Sequence, residues 1–155
     1  MNTIEDLNEL LNDLVRINND RITGYNRAIK EASDEDVDLK GLFRSMVNES
    51  EQYVAELSNR IIKLGGRPSD DTTAAGKIYR GWMDVKAVFT GSDRKALLSS
   101  CEYGEDAAQK AYDDALGSDV EIDAETRQLI MDQKTSLKKS HDMIKKYRDL
   151  QAAIT

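Results

Sequence analysis

At 155 residues the chain is long enough for one hydrophobic core and short for two, since domains commonly run to roughly 100–200 residues. Hydrophobic residues at 39% beside charged residues at 33% exclude a membrane-embedded chain and a disordered tail, and a single proline excludes collagen-like and proline-rich architectures. With 22 basic against 29 acidic side chains the net charge is −7, which repels phosphate backbones and anionic headgroups; the expected partner is another protein or a second copy of the chain, with no nucleic acid and no membrane insertion.

The N-terminal run Met1-Asn2-Thr3-Ile4-Glu5-Asp6-Leu7 is acidic where an export signal needs a basic end and an apolar stretch. With one unpaired cysteine, Cys101, this predicts a cytoplasmic protein. One cysteine and one histidine, His141, cannot build a disulfide, a zinc knuckle or a multi-histidine cage.

In the first predicted helix, over 3–33, Ile4, Leu7, Leu11, Leu14, Tyr25, Ala28 and Ala32 recur at the three-and-four spacing that lines one face. The acidic run Ser33-Asp34-Glu35-Asp36 suits the start of a second helix over 36–64, carrying Leu39, Leu42 or Phe43, Met46, Tyr53, Leu57, Ile61 and Leu64. Gly65-Gly66 and Pro68 then stop it. Along the next stretch, Ile78, Trp82, Val85 and Phe89 repeat at helical spacing, so a short crossover helix is predicted over 75–89, with Trp82 against the bundle. A third long helix is expected over 92–116, through Leu98, Cys101, Ala108, Tyr112 and Ala115, and a fourth over 123–152, through Ile130, Leu137, Ile144 and Tyr147. No strand pattern competes. Short links within each helix pair and one long link between the pairs predict an all-α, single-domain bundle of two antiparallel hairpins joined by a crossover, the ferritin-like arrangement.

Several motifs resemble a bacterial four-helix-bundle family of the ferritin-like superfamily, catalogued as a domain of unknown function. They are Asp20 with Gly24-Tyr25, Gly65-Gly66-Arg67-Pro68, and Tyr79-Arg80-Gly81-Trp82-Met83-Asp84-Val85-Lys86. Gly104-Glu105-Asp106 with Tyr112, and His141-Asp142 before Ile144, complete the set. The family commonly has histidine where this chain has Tyr79. The resemblance implies the fold and a bacterial origin, and brings no established activity.

Di-iron proteins of this fold need two Glu-x-x-His units. Here Lys138 stands three residues before His141, and Glu49-Ser50-Glu51-Gln52 ends in glutamine. Polar residues instead occupy positions where leucine is expected: Asn18, Arg21, Ser50, Glu105, Gln133 and Ser140, with His141 beside the last and Tyr25 bordering the first seam. Buried charges require partners, so Glu105 is expected to face Arg21 or His141. One reading is a buried polar network that fixes helix register in a non-enzymatic structural, interaction or stress-related protein without a cofactor. The alternative is a ferritin-like metal-binding or redox protein holding a single divalent metal ion through Glu105, His141, Glu49 and Glu102. Cys101 reads as a small buried hydrophobe. The basic run Lys138, Lys139, Lys145, Lys146 and Arg148 reads as a solvated face near a helix C-terminus.

Overall fold

The computed structural model of the chain describes residues 3–70 and 94–154. Among them stand four helices and no strand: α1 (Thr3–Glu31), α2 (Val37–Lys63), α3 (Arg94–Leu116) and α4 (Ala124–Ile154). The predicted crossover helix and Trp82 lie outside the described residues.

Contacts at the helix ends fix the topology. Asn8 and Asn12, near the start of α1, donate to the carbonyls of Leu64 and Arg67 just past the end of α2, at 3.4 and 3.0 Å. Arg94, which opens α3, reaches Gln151 near the end of α4 at 3.0 Å. The same guanidinium binds Asp36 at 3.0 Å and Asp38 at 2.6 Å, at the start of α2. Each hairpin is therefore antiparallel, while α2 and α3 run the same way. A 27-residue helix is roughly 40 Å long, and the chain must regain that distance between Lys63 and Arg94. This is the two-hairpin, long-crossover topology expected from the spacing of the helices. α1 packs most extensively on α2, then α3 on α4 and α1 on α3; α2 and α4 meet far less.

Local chemistry sets the ends. Gly65 has φ +81°, and the Gly65 and Gly66 amides donate to the carbonyls of Ile62 and Ile61 at 3.0 and 2.9 Å. That pair of bonds is a Schellman stop, which needs a left-handed residue where only glycine is unstrained. Gly66 is confined for another reason: a Cβ there would stand 2.7 Å from the Asn8 side chain and 2.9 Å from Ile61. Asp36 precedes α2 without a side-chain capping bond and instead meets Arg94 of α3, while Asp34 pairs with Lys40 of α2 at 3.2 Å. At the start of α4, Asp123 accepts from the Thr126 amide at 3.1 Å, a cap of a kind worth about 1 kcal/mol. Arg60 of α2 ties that end down through Thr126 Oγ1 at 2.7 Å and Asp123 at 2.9 Å.

The apolar stripes close into two clusters. One contains Leu7, Leu11, Leu14, Leu57, Ile61, Tyr112, Ile130 and Leu137; the other contains Tyr25, Ala28, Leu39, Phe43, Met46, Leu98, Cys101 and Ile144. Each fully buried leucine or isoleucine contributes roughly 1.5–3 kcal/mol relative to exposure. Ile4 departs from its predicted place in the stripe: in the first turn of α1 it is 51% exposed. Tyr147 is only partly buried at the margin of the second cluster.

Candidate functional site

Between the two apolar clusters lies a layer of buried polar side chains drawn from all four helices. Asn18 and Arg21 come from α1, Ser50 from α2, Glu105 from α3, and Gln133 and Ser140 from α4. They sit on the apolar stripes because each occupies a stripe position in its own helix, the sequence feature that marked them in advance.

Arg21 is the centre. Its guanidinium grips Glu105 in bidentate fashion, Nε to Oε2 at 2.8 Å and Nη2 to Oε1 at 2.9 Å. Nη2 also meets the Met46 sulfur at 3.3 Å. Nη1 donates to Ser50 Oγ at 2.8 Å and lies 2.9 Å from Glu49 Oε1. The planar fork is thus matched on every side, as buried guanidinium requires. Side-chain exposure is 3% for Arg21 and 1% for Glu105, against 24% for Glu49. Burial disfavours the Arg21 cation, but Glu105 first and then Tyr25 outweigh it and hold the proton more firmly than usual. Glu49 in turn accepts from Ser140 Oγ at 2.8 Å, which brings α4 into the cluster. A shallow groove of about 280 Å³ between α2 and α4, lined by Met46, Glu49, Ser140 and Met143 among others, opens at this point.

A second string leaves Ser50. Its hydroxyl donates to Asn18 Oδ1 at 2.9 Å, Asn18 Nδ2 donates to the Tyr112 hydroxyl at 2.9 Å, and Tyr112 donates to Gln133 Oε1 at 2.6 Å. Gln133 Nε2 then donates to Glu56 Oε1 at 3.0 Å. Every link points the same way, from the Arg21 cation to the Glu56 carboxylate, so the dipoles reinforce one another. Burial raises the Tyr112 hydroxyl above its usual 10, and raises Tyr53 to about 12 against an opposing Ser136 bond. Tyr25 is pushed well above 10 by burial and then by Glu105; its ring centroid lies 5.4 Å from the Arg21 guanidinium carbon. These phenols therefore remain protonated near neutrality. Cys101 is fully buried, and burial followed by Glu105 lifts its thiol well above 9.0. A thiol so held is no nucleophile.

Two residues expected near the centre lie elsewhere. His141 belongs outside the network: its Nε2 is 2.6 Å from Asp106 and its Nδ1 is 3.3 Å from Asp142. One helical position after Ser140, it is turned about 100° from the seam. Glu102 faces Arg148 of α4, not the Arg21 guanidinium that Glu105 binds. With Lys134 on Asp113, these contacts form a ladder between the two helices, acids on α3 and bases on α4. Part of the basic run is accordingly engaged with α3 and is not wholly a solvated face. Asp106 was the partner that sequence reasoning missed; the matched charge order along antiparallel α3 and α4 is the signal that could have found it. Among the described residues, no group of three or more histidine, cysteine, aspartate or glutamate side chains is arranged to hold a metal ion.

Burial opposes protonation of His141, yet its bonds to Asp142 and Asp106 prevail and raise its pKa above 6.5. Its pairing thus contributes stability that is complete below pH 6.5 and fades as pH rises through the higher folded value. Proton NMR of this sole histidine should report a midpoint above 6.5, moving downward in Asp106→Asn. A midpoint at or below 6.5 in the unaltered protein would contradict the ladder.

Among known proteins, it is the solved structures that speak to the fold. A family model described as "Domain of unknown function (DUF2383)" matches residues 6–118. No curated protein matches the chain. A mutant of Dps1 from Mycobacterium smegmatis has a similar structure, at TM-score 0.75 and 15% identity over 94% of this chain and 97% of that one. Another similar structure is one of the ferritin-like, diiron-carboxylate proteins from Bacillus anthracis str. Ames, at TM-score 0.69 and 17% identity over 97% and 98%. At such identities the likeness establishes a ferritin-like four-helix bundle. No helix among the described residues is long and apolar enough to cross a membrane.

Proposed function

The chain belongs to the DUF2383 family, and from its core we propose a non-enzymatic structural or interaction protein, a ferritin-like bundle closed by a guanidinium instead of a metal. The observation that carries this reading is Arg21, bound within 2.9 Å to carboxylates from two different helices, Glu105 and Glu49. In the di-metal members of this fold, inward carboxylates from facing helices neutralise bound cations. Here a protein cation fills that electrostatic role. The remaining donors do not fit a metal pair either, because His141 and Glu102 are engaged with Asp106 and Arg148 on the α3–α4 surface. Fold alone does not bring the chemistry of its relatives.

Elemental analysis of the purified protein should find no stoichiometric iron, manganese or zinc, and adding those metals should leave the melting temperature unmoved. A bound metal at a hundredfold excess over its Kd would stabilise the native state by about 2.7 kcal/mol. Near one metal per chain, lost in Glu105→Ala, would overturn the proposal in favour of a metal-binding or redox role.

A further inference from the structure

On the face opposite the α2–α4 groove, α1 and α3 leave a cleft of about 480 Å³. Leu10 and Leu14 of α1 and Ala111 and Ala115 of α3 line it. The two alanines are why there is room: a larger residue at either would fill the gap between the helices. The rim is acidic. Asp6, Glu9 and Asp13 follow one another at helical spacing along α1, and Asp114 faces them from α3. Two cations approach this rim, Arg16 on Glu9 and Asp13 and Lys110 on Asp114, which leaves four carboxylates against two bases. Burial, with Glu9 contributing, lifts Asp13 above its usual 3.8 in spite of Arg16. The rim therefore carries uncompensated negative potential over an apolar floor.

The same chain bears the complementary surface. Along α4, Lys139, Met143, Lys146 and Leu150 recur at spacings of four, three and four, so they form one stripe. All four are exposed, Met143 at 44% and Leu150 at 57%, and neither lysine forms an ion pair among the described residues. Apolar side chains alternating with cations match a cleft with an apolar floor and an anionic rim. In the isolated chain the two surfaces cannot meet, because the cleft lies near the start of α1 and the stripe near the end of α4, at opposite ends of the bundle.

We propose that the partner of this protein is a second copy of itself, with the Lys139–Leu150 stripe of one α4 seated in the α1–α3 cleft of the next. The contact is heterologous, so it propagates head to tail into a ring or a chain of subunits. It gives the interaction role proposed above its partner, and rests on that reading only for the role. Metal analysis tests the core and charge pairing tests the contact, so each can fail alone.

The experiment uses two variants of the full chain, with mass measured by light scattering after size exclusion. In one, Lys139→Glu and Lys146→Glu reverse the stripe. In the other, Asp13→Lys and Asp114→Lys reverse the rim. All four side chains are exposed, and far-UV circular dichroism verifies that both variants keep their helices. Unaltered protein should form species of more than one chain, and each variant alone should run as a monomer. An equimolar mixture should regain assembly, since the acidic stripe of the first then meets the basic rim of the second and the unaltered halves match as before. A monomeric unaltered protein, assembly that survives either reversal, or a mixture that stays monomeric would each overturn the proposal.

Discussion

Replacing Arg21 alone by methionine is expected to cost about 3–5 kcal/mol of folding stability, a large share of the roughly 5–15 kcal/mol a domain of this size has in total. The reason is what remains. Glu105, with 1% of its side chain exposed, would lose both bonds of its bidentate grip and be left without a cation in a medium that cannot solvate a charge. Glu49 has an escape, since it is 24% exposed and can turn toward the α2–α4 groove. Glu105→Leu should also be harmful, because it takes the carboxylate from Nε and Nη2 of the guanidinium and leaves only the Glu49 and Ser50 side. The double replacement, Arg21→Met with Glu105→Leu, removes both charges and should recover most of the loss, giving a large favourable coupling in a double-mutant cycle. Urea unfolding of the four proteins measures it. A single-mutant loss below about 1 kcal/mol, the range of an exposed ion pair, would show that the Arg21–Glu105 contact is not desolvated as described.

The second large effect is apolar. Phe43 is fully buried, with its ring centroid 5.5 Å from that of Tyr25 at a tilt of 39°. Phe43→Ala should destabilise by about 3–5 kcal/mol, the sum of lost transfer energy and the cavity left behind. Phe43→Leu keeps most of the volume and should cost clearly less. Thermal unfolding followed by circular dichroism distinguishes the two. Equal losses would mean that the site collapses freely around the gap, contrary to its place among Leu39, Met46, Leu98 and Ile144.

The helices were legible because apolar spacing is a property of the chain itself. Leu7, Leu11 and Leu14 announce a buried face whatever covers it. The polar layer was legible for the same reason: Ser50 and Gln133 interrupt stripes of leucine and tyrosine, and a buried Glu105 demands a cation within reach. The identity of that cation was left between Arg21 and His141, because spacing does not give the rotation of one helix about its axis relative to another. A turn of about 100° per residue separates Ser140, which joins the layer, from His141, which does not. Glu102 is one turn from Glu105 and yet meets Arg148, since the seam is narrower than the side chains beside it. The acidic cleft was not legible at all. It exists through the small volumes of Ala111 and Ala115, and a missing volume between two helices has no periodic trace in either.

The position of Arg21 also bears on how the two hairpins recognise one another. Ser50 and Glu49 reach Arg21 from within the first hairpin, but Glu105 arrives only with the second. Until then the first hairpin holds a cation on its sticky face, and that face stays wet. Sliding the hairpins past each other by one helical turn, about 5.4 Å, would still bring leucine against leucine, as aliphatic side chains are largely interchangeable partners. It would also set Glu105 opposite a hydrocarbon wall and leave Arg21 facing another. On the reading proposed above, the ion pair would act as a checkpoint for alignment: a misdocked assembly would keep its greasy contacts and be disfavoured on charge.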